Sequence, residues 1–237
     1  MEIYNEIIAK LHQLASFERA KTSKKFFKIG ITEYGFDDIF IGVSVPMIRV
    51  IAKEYIGINY ENIKKILSSK IHEERQLALM ILVEKFMKFK EERWQITEFY
   101  LHNDNIKYVN SWDLVDLTAY KIVGEFLMEN PAKITILHDL ANSDNFWARR
   151  IAIVSTLAFI KQNKFDETIL IVERFLSNPL HDLLQKASGW MLREVGKKNR
   201  QTLMKFLELH HKKMPRVMLR YATEKFTKEE RLLIVHV

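Results

Sequence analysis

A degenerate internal repeat constrains this chain more than any other feature. Aligning on a small residue inside an apolar stretch brings Ala78, Ala119, Ala152, Ala187 and Ala222 into register, at steps of 41, 33, 35 and 35. Two positions upstream of each stand Gln76, Leu117, Arg150, Gln185 and Arg220, four of them side chains that donate hydrogen bonds. A period of this length, filled by helix pairs, is the signature of an α-solenoid, in which each repeat buries its apolar face only against its neighbours. The small residue lets neighbouring helices pack closely, and the polar residue one turn away recurs on one edge of the stack.

The periodicity between these anchors agrees. From Glu2 to Leu14, Ile3, Ile7, Ile8, Leu11 and Leu14 form one helical stripe, and Glu73 to Phe86 reads similarly, with Val83 to Glu84 turning the helix back to solvent. Pro131, Pro179 and Pro215 stand where helices can begin, and Ser143-Asp144 and Ser177-Asn178 supply N-cap chemistry. Only 7 Gly and 4 Pro over 237 residues leave few turn-formers for a many-stranded β fold. The chain is expected to form a single all-α domain over residues 1–237.

One stretch breaks the pattern. In Ile31 to Pro46, the residues Ile39, Ile41, Val43 and Val45 alternate with Phe40, Gly42 and Ser44, which is strand period. Gly35 and Asp37-Asp38 can turn the chain, so a short β-hairpin or an extended loop inserted between helices near residues 31–46 is expected, with the hairpin preferred. Just before it Lys21, Lys24, Lys25 and Lys28 fall on one helical face. With Tyr34 and Phe36 near the hairpin tip, that face suits DNA backbone contact and groove insertion; it equally suits a solvated face beside a packed loop.

The formal net charge of +7 and a pI near 9.3 point to a polyanionic partner, or to a merely Lys-rich surface. With no Cys there is no disulfide framework, thiol nucleophile or Cys-based zinc site. The start of the chain, Met1 to Glu6, carries acids where a signal peptide carries bases, and no apolar run is long enough to span a bilayer. A cytoplasmic protein, of a prokaryotic cytosol or nucleoid, is therefore expected, without a membrane partner and as a monomer. HExxH, Gly-rich phosphate-loop and GxSxG motifs are missing, and the eight His are scattered, so ordinary surface histidines are expected rather than a metal site.

Four segments could carry chemistry. Within Ser111-Trp112-Asp113-Leu114-Val115-Asp116, the spacing of Trp112 and Asp116 puts an aromatic face beside a carboxylate, a pair that attracts a cation. The same pair also fits a core tryptophan with a capping or salt-bridged aspartate. Asn145-Phe146-Trp147-Ala148-Arg149-Arg150 places two arginines at a helix start, fit to clamp a phosphate or to pair with an acid. In Lys186-Ala187-Ser188-Gly189-Trp190-Met191-Leu192-Arg193-Glu194, the residues Lys186, Trp190 and Arg193 share a face, and Gly189 thins the helix for close packing or ligand approach. Arg216 and Arg220 share another.

Taken together and in chain order, the first three of these patterns, the second extended back to Ser143-Asp144, give the chain a family likeness over nearly its whole length. It resembles the HEAT-like-repeat DNA alkylation repair proteins, that is, the AlkD-like alkylpurine DNA glycosylases and their hairpin-containing relatives. The resemblance implies a HEAT-like solenoid that binds double-stranded DNA in a groove and removes N3- and N7-alkylated purines without base flipping. Asp116 would then be the essential carboxylate, stabilising the cationic sugar and helping to position water. Trp112 and Trp190 would contact the sugar, and Arg150 would hold a phosphate. Arg149, Lys186, Arg193, Arg216, Arg220 and the Lys21 to Lys28 face would bind DNA. No metal or organic cofactor is implied. The insertion departs from the best-known glycosylase pattern, and Phe26 stands where the family cleft carries Tyr. The departures resemble a branch that binds branched DNA through a hairpin without base excision. A third reading is a protein-interaction solenoid, with evenly spread basic residues and binding indifferent to salt.

Overall fold

The computed structural model describes residues 2–27, 37–177 and 181–235. Among them the regular secondary structure is entirely helical, as the repeat and the scarcity of turn residues require. The chain divides into two compact units, Met1–Thr118 and Ala119–Val237.

The first unit contains α1 (Glu2–Gln13), α2 (Phe17–Phe26), α3 (Val45–Glu54), α4 (Tyr60–Leu67), α5 (His72–Lys88), α6 (Arg93–Leu101), α7 (Asn103–Ile106) and all but the last residue of α8 (Trp112–Ala119). Local chemistry fixes several starts. Ser16 Oγ accepts from Arg19 N–H at the start of α2, Asn59 Oδ1 from Asn62 N–H at α4, and Pro46 occupies the first turn of α3. Helices α3, α4 and α6 pack on α5, which is buried on nearly every face from His72 to Phe86. Val83 is buried, and Glu84 beside it is the one residue from His72 to Phe86 that is partly exposed.

The second unit opens on a π-helical turn, Tyr120–Gly124, followed by α9 (Glu125–Glu129), α10 (Thr135–Asn142), α11 (Phe146–Lys161), α12 (Asp166–Phe175), α13 (Asp182–Lys198), α14 (Arg200–His210), α15 (Arg216–Ala222) and α16 (Lys228–Val235). Its centre is α11 and α13, packed on each other and flanked by α10, α12, α14 and α15. Asn145, rather than Ser143-Asp144, caps α11, and His181 Nδ1 caps α13 through Leu183 N–H. Pro179 lies outside the described residues.

The repeat is visible within each unit. All five aligned alanines are buried. Gly189 lies where an added Cβ would sit 2.5 Å from the Met218 carbonyl oxygen, so close packing of α13 on α15 needs the missing side chain. Polar side chains bridge one period to the next. Gln76 donates to Asp113 at 3.0 Å, Arg150 to the Leu183 carbonyl, and Ser155 to the Ala119 carbonyl at 3.3 Å. These spans of 37, 33 and 36 residues match the spacing of the alanines.

The expected hairpin needs correction. Residues 31–36, with Tyr34 and Phe36, lie outside the described residues, as does Lys28. Among the described residues the stretch 38–44 belongs to no strand pair, and Val45-Pro46 already begin α3. Its one bridge among the described residues is parallel, between Ile39 and Ile71. The physical reason is that helix ends satisfy this backbone. Ile39 N–H donates to Lys70 O and its carbonyl accepts from His72 N–H; Ile41 O accepts from Ser16 N–H; Ile41 N–H and Gly42 N–H both donate to the Glu73 carboxylate, at 3.1 and 2.7 Å. Gly42, at φ +79, passes against the start of α2, where a Cβ would meet the Ser16 carbonyl oxygen at 2.2 Å.

Candidate nucleic-acid interface

In the first unit the candidate site is built on the start of α8. Trp112 is half-buried and stacks on Phe27, ring centroids 5.3 Å apart at 15°, with Phe26 edge-on at 5.6 Å. Phe26 is 65% exposed, so an aromatic edge stays open to solvent beside Trp112. Phe27 in turn stacks on Phe40 at 5.0 Å, and Phe40 on His72 at 4.7 Å. Lys21, Lys24 and Lys25 on α2 are exposed.

The two aspartates of the Trp112–Asp116 motif have different surroundings. Asp113 is buried; its Oδ2 accepts from Gln76 Nε2 at 3.0 Å and meets His72 Nε2 at 2.8 Å. The other nitrogen of His72 meets Asp38 at 3.0 Å, and Arg75 donates to the same Asp38 at 2.6 Å. Burial disfavours a charged His72, but the charge of Asp113 and the hydrogen bonds to Asp113 and Asp38 outweigh it, against the opposing charge of Arg75, and hold His72 at about 9. Asp116, one turn beyond Trp112, is half-buried. Burial pushes the Tyr100 phenol up, the Thr118 hydroxyl at 2.9 Å pulls it down, and the charge of Asp116 adds to the rise, which places that carboxylate in the electrostatic field of Tyr100.

His72 is the residue that sequence reasoning missed. It begins a run of five polar residues, His72-Glu73-Glu74-Arg75-Gln76, that reads as a solvated first turn and is buried throughout. Each of the five has a partner from another part of the chain, Glu74 taking His12 at 2.6 Å. The signal available in sequence was Gln76 at its repeat position; nothing local marked His72.

In the second unit Arg150 is 4% exposed, with its guanidinium donating to the Leu183 carbonyl at the start of α13. Its neighbour Arg149 is half-buried, with a buried Nε that makes no hydrogen bond. Trp190 is half-buried, its indole N–H donating to Glu194 at 3.2 Å. Lys186 pairs with Asp182 at 2.5 Å, and Arg193 pairs with Glu224 and Glu194. Arg216 and Arg220 are exposed on α15. Thus Trp112 and Asp116 share one helix of the first unit, and Arg149, Arg150, Trp190, Lys186 and Arg193 sit on the packed pair α11 and α13 of the second.

Among the described residues no group of three or more His, Asp or Glu is placed to hold a metal ion, and no helix is long and apolar enough to cross a membrane.

The model of the DNA alkylation repair enzyme family matches residues 7–226. The chain belongs to the DNA alkylation repair enzyme family. The fold agrees: the solved structure of a predicted DNA alkylation repair enzyme from Enterococcus faecalis superposes with a TM-score of 0.69, at 19% identity, over 90% of this chain and 97% of that one. No curated protein matches the chain. The family supports a DNA-repair function for the chain, and its match spans α8, α11 and α13.

Proposed function

We propose that this member of the family is an alkylpurine DNA glycosylase on a HEAT-like α-solenoid. It binds duplex DNA through basic residues of both units and hydrolyses the N-glycosidic bond of cationic N3- and N7-alkylated purines, without base flipping. The observation that carries the reading is that half-buried Asp116 stands one turn from half-buried Trp112 on α8, in a chain of the DNA alkylation repair enzyme family.

An alkylated purine leaves as a neutral base, so the developing charge is that of the sugar. Asp116 is the carboxylate that stabilises it and orients water, as carboxylates do in glycoside hydrolysis. Trp112 in the first unit and Trp190 in the second each offer an aromatic face that attracts a cationic sugar. Leaving the base in the stack removes the unstacking cost that flipping enzymes meet. The resemblance gives the phosphate to Arg150; as Arg150 is 4% exposed and donates to the Leu183 carbonyl, its half-buried neighbour Arg149 shares that role at the surface. Lys21, Lys24, Lys25, Arg216 and Arg220 supply non-specific backbone attraction, and Lys186 and Arg193 do so by exchanging their acidic partners for phosphate. The protein works as a monomer in the cytoplasm.

The test is incubation with duplex DNA carrying N7-methylguanine, with free base followed over time, and binding to linear and four-way-junction DNA measured in parallel. Release above the protein-free rate supports the glycosylase. No release, with tight junction binding that salt weakens, replaces it with a structure-specific DNA-binding role. No salt-sensitive DNA binding of either kind makes it a protein-interaction scaffold.

A further inference from the structure

His72 reaches Trp112 by two routes. One is polar. Its Nδ1 lies 3.0 Å from Asp38 and its Nε2 2.8 Å from Asp113, the residue next to Trp112. A neutral imidazole donates from one nitrogen only, so two ionised carboxylates on opposite sides call for the imidazolium. The other route is aromatic. His72 stacks on Phe40 at 25°, Phe40 on Phe27 at 27°, and Phe27 on Trp112 at 15°, a column of four rings that begins and ends on the same two elements as the polar route. The charged groups around the ring are Asp38 from the segment between α2 and α3, Asp113 from α8, and Arg75 from its own helix, which also pairs with Asp38. The ring is 2% exposed, so water does not compete for either carboxylate.

We propose that His72 is a positioning residue for the candidate site: clamped between Asp38 and Asp113, it sets the ring plane of Trp112 and the start of α8, and so the direction in which that helix presents Asp116. Its kinetic consequence rests on the glycosylase reading; its structural consequence does not. A positioning role differs from simple support in what it disturbs. Loosening the clamp lets Trp112 turn while the fold and the basic surfaces stay in place, so the chemical step suffers and DNA affinity does not. A small misplacement of this kind costs on the order of a hundredfold in rate.

The experiment labels the protein with 5-fluorotryptophan and assigns the Trp112 fluorine resonance by its loss in Trp112→Phe. His72→Gln, whose amide cannot donate strongly to both carboxylates, is expected to shift and broaden the Trp112 resonance and leave those of Trp147 and Trp190 in place. In the parent, raising the pH through about 9 moves the same resonance, and His72→Gln abolishes that movement. Single-turnover release of N7-methylguanine falls by about ten- to a hundredfold in His72→Gln with DNA affinity unchanged. Where His72→Gln does not fold, Phe40→Leu, which breaks the ring column and spares both ion pairs, gives the same fluorine readout. An unmoved Trp112 resonance in a folded variant overturns the proposal. A parent that releases no base defeats the glycosylase reading instead, and the fluorine data then decide the clamp alone.

Discussion

Replacing Asp113 by asparagine keeps the shape of the side chain and removes the first of the two charges that keep His72 protonated. The size of the effect follows from the proton affinity of the imidazole. A rise from 6.5 to about 9 on folding corresponds to roughly 3 kcal/mol favouring the charged ring, each tenfold change in affinity being worth ~1.4 kcal/mol. Because the folded value is the higher one, this contribution is complete below about 6.5, shrinks as pH rises and is lost once pH passes about 9. Asp38 remains in Asp113→Asn and retains part of it, so the variant should lose roughly 2 kcal/mol at pH 7. Urea unfolding at fixed slope, followed at pH 7 and again at pH 10, measures this as a lowered midpoint. The gap between parent and variant should narrow markedly at pH 10, where both rings are neutral. A gap of equal size at the two pH values would refute the charged-histidine reasoning, and no gap at pH 7 would remove Asp113 from the network.

Other outcomes follow from packing and charge. Gly42→Ala puts a Cβ 2.2 Å from the Ser16 carbonyl oxygen at a φ of +79, and should cost roughly 2 kcal/mol or more in denaturant unfolding. Gly189→Ala puts one 2.5 Å from both the Met218 carbonyl oxygen and the Tyr221 Cβ, so α13 and α15 must separate, at about 1–3 kcal/mol by the same assay. Removing the exposed charge of Lys24 or Arg216 should weaken binding to all duplexes alike and flatten the slope of log affinity against log salt by about 1 per lost phosphate contact.

How far the sequence could be read differs from element to element for physical reasons. Buried alanines at repeat spacing were legible because close helix approach leaves little room for other side chains, and all five are buried. Gly189 was legible for the same reason. The Ile39–Val45 alternation does not tell a hairpin from an extended loop, because period two reports extended backbone, whatever completes its hydrogen bonds; here Glu73, Lys70, His72 and Ser16 complete them. The polar start of α5 was opaque because burial of charge is decided by partners distant in sequence. His72 lies 34 residues from Asp38 and 41 from Asp113, and no local pattern encodes either distance. Trp112, Asp116, Arg150 and Trp190 were marked by residue type and spacing. The resemblance singled out Asp116 and Arg150; packing adds that Asp113 is held by His72 and Gln76 and that Arg150 donates to the Leu183 carbonyl.

The glycosylase reading stands or falls most directly on single-turnover release of N7-methylguanine by the parent and by Asp116→Asn, with duplex affinity measured on the same preparations. Loss of a charge that acts only on the transition state predicts a fall of at least about a hundredfold in release, with affinity within about threefold of the parent. Release by Asp116→Asn at the parental rate would contradict it.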